Sequence, residues 1–223
     1  MPSWVNGAVA LFFPGPGPYP GIDLPDMTQD HTSDPASDPE MRARGEALVR
    51  WARARLEQEL GGPAATPPTG AWCDEPGATF VTLRWKDGAL QGCIGSLEPH
   101  RSIVSDVANN VIASALYDPR AARLKLQDVA KLDFELSILS SLEPIEFSDE
   151  DSAIAALRVG TDGVVLEWHA HRGTFLPSMW PVLGDARNFL RELKRKAGLP
   201  RDFWEAGVTL KRYTVQKFVD RGS

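Results

Sequence analysis

Between Asp38 and Gly61, the apolar residues Met41, Leu48, Val49, Ala52, Leu56 and Leu60 recur at helical spacing, with Arg and Glu mostly on the opposite face. This pattern predicts an amphipathic surface helix. Asp38-Pro39-Glu40 supplies a capping side chain, a proline suited to the first helical position and an early carboxylate, and Gly61-Gly62 ends the helix. Ala78 to Trp85 then reads as a strand, Asp87-Gly88 as a two-residue type I′ turn, and Ala89 to Leu97 as the returning strand. From Ser102 to Tyr117, Ile103, Val104, Val107, Ala108, Val111, Ile112 and Ala115 form an apolar stripe spaced by three and four, which predicts a largely buried helix. Asp118-Pro119 stops it.

Leu132, Phe134, Leu136 and Ile138 alternate with Asp133, Glu135 and Ser137, the period of a strand with one face on a core. Gly163 to His169 reads as another strand, Asp185 to Lys196 as a helix ending at Gly198, and Arg212 to Val219 as a final strand. Helices and strands interleave without a regular βαβ repeat. The expected fold is therefore α+β, with a mixed, partly antiparallel sheet and packed helices.

Ahead of residue 40 the pattern changes. Pro14-Gly15-Pro16-Gly17-Pro18-Tyr19-Pro20-Gly21 and the acidic stretch Asp30 to Pro39 lack the donors and the backbone freedom that a helix or central strand needs. Residues 1–39 are read as an extended Pro/Gly-rich arm, and residues 40–220 as the folded domain. Trp4, Val5, Leu11, Phe12 and Phe13 make the arm too apolar for a free linker. It is expected to lie across the domain or across a neighbouring subunit, as in a homo-oligomer.

Composition narrows the class. With 43% hydrophobic and 24% charged residues, the 223-residue chain has the makeup of an ordinary globular protein. From Ala186 onward there are 10 Lys/Arg against 4 Asp/Glu, and 14 against 26 before it. That basic region reads as a solvated helical face, and a pI near 5.3 lacks the electrostatic footprint of a nucleic-acid binder. Cys73 and Cys93 are too few for a disulfide framework, which points to free thiols in a reducing, cytoplasmic compartment. No stretch reaches the length of a membrane span.

Candidate chemistry centres on Gln91-Gly92-Cys93-Ile94-Gly95-Ser96, where a thiol stands between two glycines that permit close approach of a ligand or another chain. Two readings stay open for Cys93: a reactive thiol, or a small buried apolar residue beside a bulge. Activation would require a nearby cation, a metal or a helix N-terminus, and Arg84, His100 and Arg101 are the candidate cations. Glu167, His169 and His171 share a strand face if the alternation continues, the arrangement of two imidazoles and a carboxylate that a metal site requires, or they mark an exposed strand end. Asp118-Pro119-Arg120 is either a helix stop with an ion pair or an anion-binding corner. Phe175-Leu176-Pro177, Trp180 and Phe189-Leu190 read as core and capping residues. The sequence has no P-loop, dinucleotide fingerprint, nucleophile elbow or Cys-rich metal site, so no cofactor is assigned.

Leu90 to Gly95 resembles the Leu-Arg-Gly-Cys-Ile-Gly motif of the AMMECR family, also described as AmmeMemoRadiSam system protein A. Asp118-Pro119-Arg120, Phe134 to Leu139, Arg172 to Pro177, and Phe189-Leu190 through Lys196 to Leu199 follow in the family's order. The resemblance implies a two-part α+β domain. It also implies Memo-like and radical SAM proteins as partners, and a cleft with Cys93 as catalytic candidate and Gln91, Gly92, Gly95, Asp118 and Arg120 as substrate-binding candidates. The implied role is either an enzyme component with that cleft or a non-catalytic adaptor for the same partners. Two residues depart from the pattern: Gln91 stands where the family has arginine, and Ala121 where an aromatic residue follows Asp-Pro-Arg.

Overall fold

In the computed structural model, which describes residues 8–10 and 38–222, helix α1 (Pro39–Glu59) begins where Asp38 accepts hydrogen bonds from the backbone amides of Glu40 and Met41. The carboxylate satisfies amides that have no partner inside the helix. The described residues divide into two units: one runs to Leu139 and resumes at Gln216, and the other spans Ser140–Val215.

The first unit is a sheet covered by two helices. Strands β1 (Ala8–Ala10), β2 (Thr79–Trp85), β3 (Leu90–Ser96), β4 (Leu132–Leu139) and β9 (Val215–Asp220) lie in the order β1-β3-β2-β4-β9. The β1–β3, β2–β3 and β2–β4 pairs are antiparallel. Leu48, Ala52 and Leu56 of α1 pack with Val107 and Val111 of α2 (Ile103–Leu116) and with Val81, Leu83, Phe134 and Leu136 of the sheet, all of them essentially inaccessible to water. Burying each large aliphatic side chain contributes about 1.5–3 kcal/mol. Arg53 ties α1 to the last strand: its guanidinium lies 2.6 Å from Asp220, donates to the Val129 and Leu132 carbonyls, and sits 4.3 Å from the Phe134 ring centre.

The second unit has its own sheet, in the order β5-β8-β6-β7, formed by β5 (Glu143–Pro144), β8 (Thr209–Tyr213), β6 (Gly163–Trp168) and β7 (His171–Phe175). Helices α3 (Glu150–Ala156), α4 (Trp180–Leu183) and α5 (Ala186–Lys196) accompany it. Val164, Leu166, Phe189, Leu190, Leu193 and Leu210 form the core, and the Trp180 ring stacks on Phe189 at 3.8 Å. Phe175, Trp180, Phe189 and Leu190 are core residues, as the sequence indicates.

The α+β class agrees with the sequence, and three local details differ. The β2–β3 turn is not type I′. Gly88 donates to the Trp85 carbonyl and Trp85 to the Ala89 carbonyl, leaving three residues in the loop with Gly88 at φ 88° and Asp87 outside the positive-φ region. Arg212 to Val219 is not one strand, because Thr214 separates β8 of the second sheet from β9 of the first. The strand from Gly163 does not reach His169: the chain turns there, with His169 at φ 50°, and Trp168 pairs with His171. Most of the N-terminal arm lies outside the described residues; within it, Ala8–Ala10 pairs with β3.

Candidate functional site

Four polar side chains, Asp106, Asn110, Ser114 and Asp118, follow one another at intervals of four along and just beyond α2, so they line one face of the helix. That face meets the β2–β3 hairpin, and each side chain engages the strands. Asp106 accepts from the Thr79 amide (2.9 Å), the Thr79 hydroxyl (2.7 Å) and the Ser96 hydroxyl (2.7 Å). Asn110 donates to the Thr79 carbonyl at 2.9 Å and to Asp106 at 2.9 Å. The Ser114 hydroxyl accepts from the Ile94 amide at 2.8 Å and donates to the Val81 carbonyl at 2.7 Å, inserting itself as a rung between β2 and β3. Asp118 accepts from the Cys93 amide at 2.8 Å.

The glycines make this approach possible. A Cβ on Gly92 would collide with the Ser114 carbonyl oxygen and lie 2.9 Å from the Asp118 Cβ, and one on Gly95 would enter the Phe80 ring. Gln91 is the extra residue of a β-bulge, because the register steps from Leu83 opposite Gly92 to Arg84 opposite Leu90. Its side chain is fully buried. The amide nitrogen donates to the Ala115 carbonyl at 3.0 Å and the Ala122 carbonyl at 2.7 Å, while the amide oxygen accepts from the Trp85 indole at 3.0 Å. The bulge aims the side chain, and the three bonds hold it.

Cys93 is 1% exposed, and its Sγ lies 3.1 Å from the Thr82 hydroxyl oxygen. Burial pushes the thiol up to about 11; the Thr82 hydrogen bond and the Arg120 charge act against that, and the Glu135 and Asp118 charges act with it. Arg84, His100 and Arg101 make other contacts: Arg84 donates to the Gly88 carbonyl, His100 lies 3.5 Å from Glu98, and Arg101 lies 3.6 Å from Asp106. Asp118 is fixed by Arg120, whose guanidinium nitrogens donate at 2.7 and 2.8 Å. Burial favours the protonated form of Asp118, but the hydrogen bonds from Arg120 and from the Cys93 amide outweigh it, so the carboxyl titrates below its ordinary range. Burial also raises the Asp106 carboxyl, against hydrogen bonds from Ser96 and Thr79 and the Arg101 charge.

The structure thus gathers Gln91, Gly92, Cys93, Gly95, Asp118 and Arg120 at one junction of β3 and α2. Glu167, His169 and His171 are not gathered in this way. Glu167 pairs with Arg172 at 3.0 Å and Lys211 at 2.8 Å, His171 contacts the Ala197 carbonyl at 3.0 Å, and His169 sits on the turn. Among the described residues, no three His, Cys, Asp or Glu side chains are grouped to hold a metal ion. Asp106, Asn110 and Ser114 are the neighbours of the motif that sequence reasoning missed. Their spacing of four was the available signal, and beside an apolar stripe it reads as a solvent face.

Comparison with known proteins places the chain in a lineage. A family model described as AMMECR1 matches residues 49–218. A protein of Methanothermobacter thermautotrophicus is 33% identical over 192 residues, spanning 82% of this chain and 98% of the relative. Protein MJ0810 of Methanocaldococcus jannaschii is 33% identical over 178 residues, 78% of this chain and 89% of its own length. The crystal structure of the uncharacterized protein PH0010 from Pyrococcus horikoshii superposes with a TM-score of 0.72 at 32% identity, over 82% of this chain and 95% of that one. Among the described residues no helix is long and apolar enough to cross a membrane. The span of the family model and the coverage of these relatives establish that the chain belongs to the AMMECR1 family.

Proposed function

We propose that this chain is a non-catalytic binding module, an adaptor for protein partners of the Memo-like and radical SAM kinds that its sequence resemblance implies. In this reading the Leu90 to Gly95 motif is a structural junction, and Cys93 is one of its packed residues. The observation that carries it is the state of Cys93: a thiol 1% exposed, hydrogen-bonded to Thr82, with its pKa pushed up to about 11. A nucleophilic cysteine needs access and a lowered pKa. At neutral pH a thiol with that pKa is ionised in roughly one molecule in ten thousand. The surrounding polar groups support the same reading, because Gln91, Ser114 and Asp118 direct these hydrogen bonds to other groups of this chain, backbone and side chain alike.

An enzyme component with a working thiol would need Cys93 uncovered and deprotonated, which its burial and the Thr82 contact oppose. The test is capture of a Memo-like and a radical SAM protein co-expressed with tagged wild type and with Cys93→Ala, with folding of the variant checked by circular dichroism. Equal capture by both chains is the expected result. Loss of capture by folded Cys93→Ala, or no capture by wild type, would overturn the adaptor reading.

A further inference from the structure

We infer that the outer edge of β3, from Ile94 to Ser96, is a strand-accepting site for an extended peptide segment, and that this chain's own residues Ala8–Ala10 close it in cis. The inference gives the adaptor reading a surface but rests on sheet geometry alone, so the two can fail separately.

The argument starts from the direction of the backbone amides. Ile94 donates to the Ser114 hydroxyl, which itself donates to Val81 of β2, so the Ile94 amide faces β2. Alternation along the strand turns the amides of Cys93 and Gly95 to the other edge. There the Cys93 amide is already taken by the Asp118 carboxylate at 2.8 Å. A neighbouring strand therefore cannot extend its ladder past Cys93. At the other end, β3 finishes at Ser96, whose hydroxyl is fixed to Asp106 at 2.7 Å. What remains open between these two anchors is a short, rigid stretch centred on Gly95.

The arm fits that stretch. Ala8 lies opposite Ser96, Val9 opposite Gly95 and Ala10 opposite Ile94, and the pairing stops there. Without β1, β3 is the edge of the sheet. An uncovered edge strand pairs readily with any extended segment. The covering strand lies outside residues 49–218, the span the family model matches. Three residues contribute few ladder bonds, each of modest net strength, so the arm can leave and an extended segment of another protein can take the same rungs.

The test uses the full-length chain and a variant carrying Ala8→Pro, Val9→Pro and Ala10→Pro, which removes every backbone donor of the covering strand. Hydrogen exchange at Gly95 is followed, with a peptide of residues 4–14 bearing a lysine tail as the trans probe. The expected result is Gly95 exchange about tenfold faster in the variant, with protection restored by the peptide, and no peptide binding to wild type. Unchanged exchange in the variant, or failure of the peptide to bind it, would overturn the site. Gly95 protection in wild type that rises with protein concentration would overturn closure in cis, since a second copy would then supply the strand.

Discussion

At Gln91 a single neutral side chain both donates and accepts. Its amide nitrogen serves the carbonyls of Ala115 and Ala122, and its oxygen receives the Trp85 indole N–H. An arginine, the residue in the corresponding family motif, offers donors only. It could serve the two carbonyls but would leave the Trp85 indole without an acceptor and bring a charge into a site with no exposure. The departure from the motif is thus coupled to Trp85. Gln91→Arg alone is expected to destabilise the fold by about 1–3 kcal/mol. Adding Trp85→Phe, which removes the stranded donor, should recover part of that loss. Chemical denaturation of the two single variants and the double variant measures the coupling, and strict additivity would refute it.

At the scale of elements, the junction is made by a helix whose polar line faces inward. Much of the framework was legible in sequence, since α1, α2, α5 and the β2–β3 hairpin each carry strong periodicity and local start and stop signals. The glycines of the motif were legible as points of close approach, but what approaches them was not. Asp106, Asn110 and Ser114 flank an apolar stripe and look solvated until β2 and β3 offer them backbone partners from elsewhere in the chain. The shared strand face expected for Glu167, His169 and His171 does not form for a related reason: alternation assumes a continuing strand, and the chain turns at His169. Likewise Thr214 divides one run of β-prone residues between two sheets, a distribution that pairing partners decide. Close approach of α2 and β3 gives a direct prediction for Gly92→Ala, whose new methyl would meet the rigid Ser114 backbone. A loss of about 3 kcal/mol or more is expected in thermal or urea unfolding. A stability within experimental error of wild type would mean that α2 does not lie so close.

Over the whole molecule, two units each bury their own core, and the chain returns to the first sheet through β9 after building the second. The basic excess of the C-terminal region is largely absorbed by ion pairs: Arg187 with Asp151 at 2.8 Å, Lys194 with Glu150 at 2.7 Å, Lys211 with Glu167 at 2.8 Å and Arg212 with Asp162 at 3.2 Å. Those charges serve the fold and its surface. In the proposed reading the motif does the same in the first unit, where the Cys93 thiol, hydrogen-bonded to Thr82, contributes packing. The central claim is therefore about reach: Cys93, 1% exposed and bonded to Thr82, meets a reagent only when the structure around the hairpin opens. Iodoacetamide labelling of Cys93 near pH 8, resolved by peptide mass spectrometry, measures this in folded and urea-unfolded chains. The folded chain is expected to label about a thousandfold more slowly than the unfolded one. Labelling of folded Cys93 as fast as, or faster than, the unfolded thiol would contradict the account.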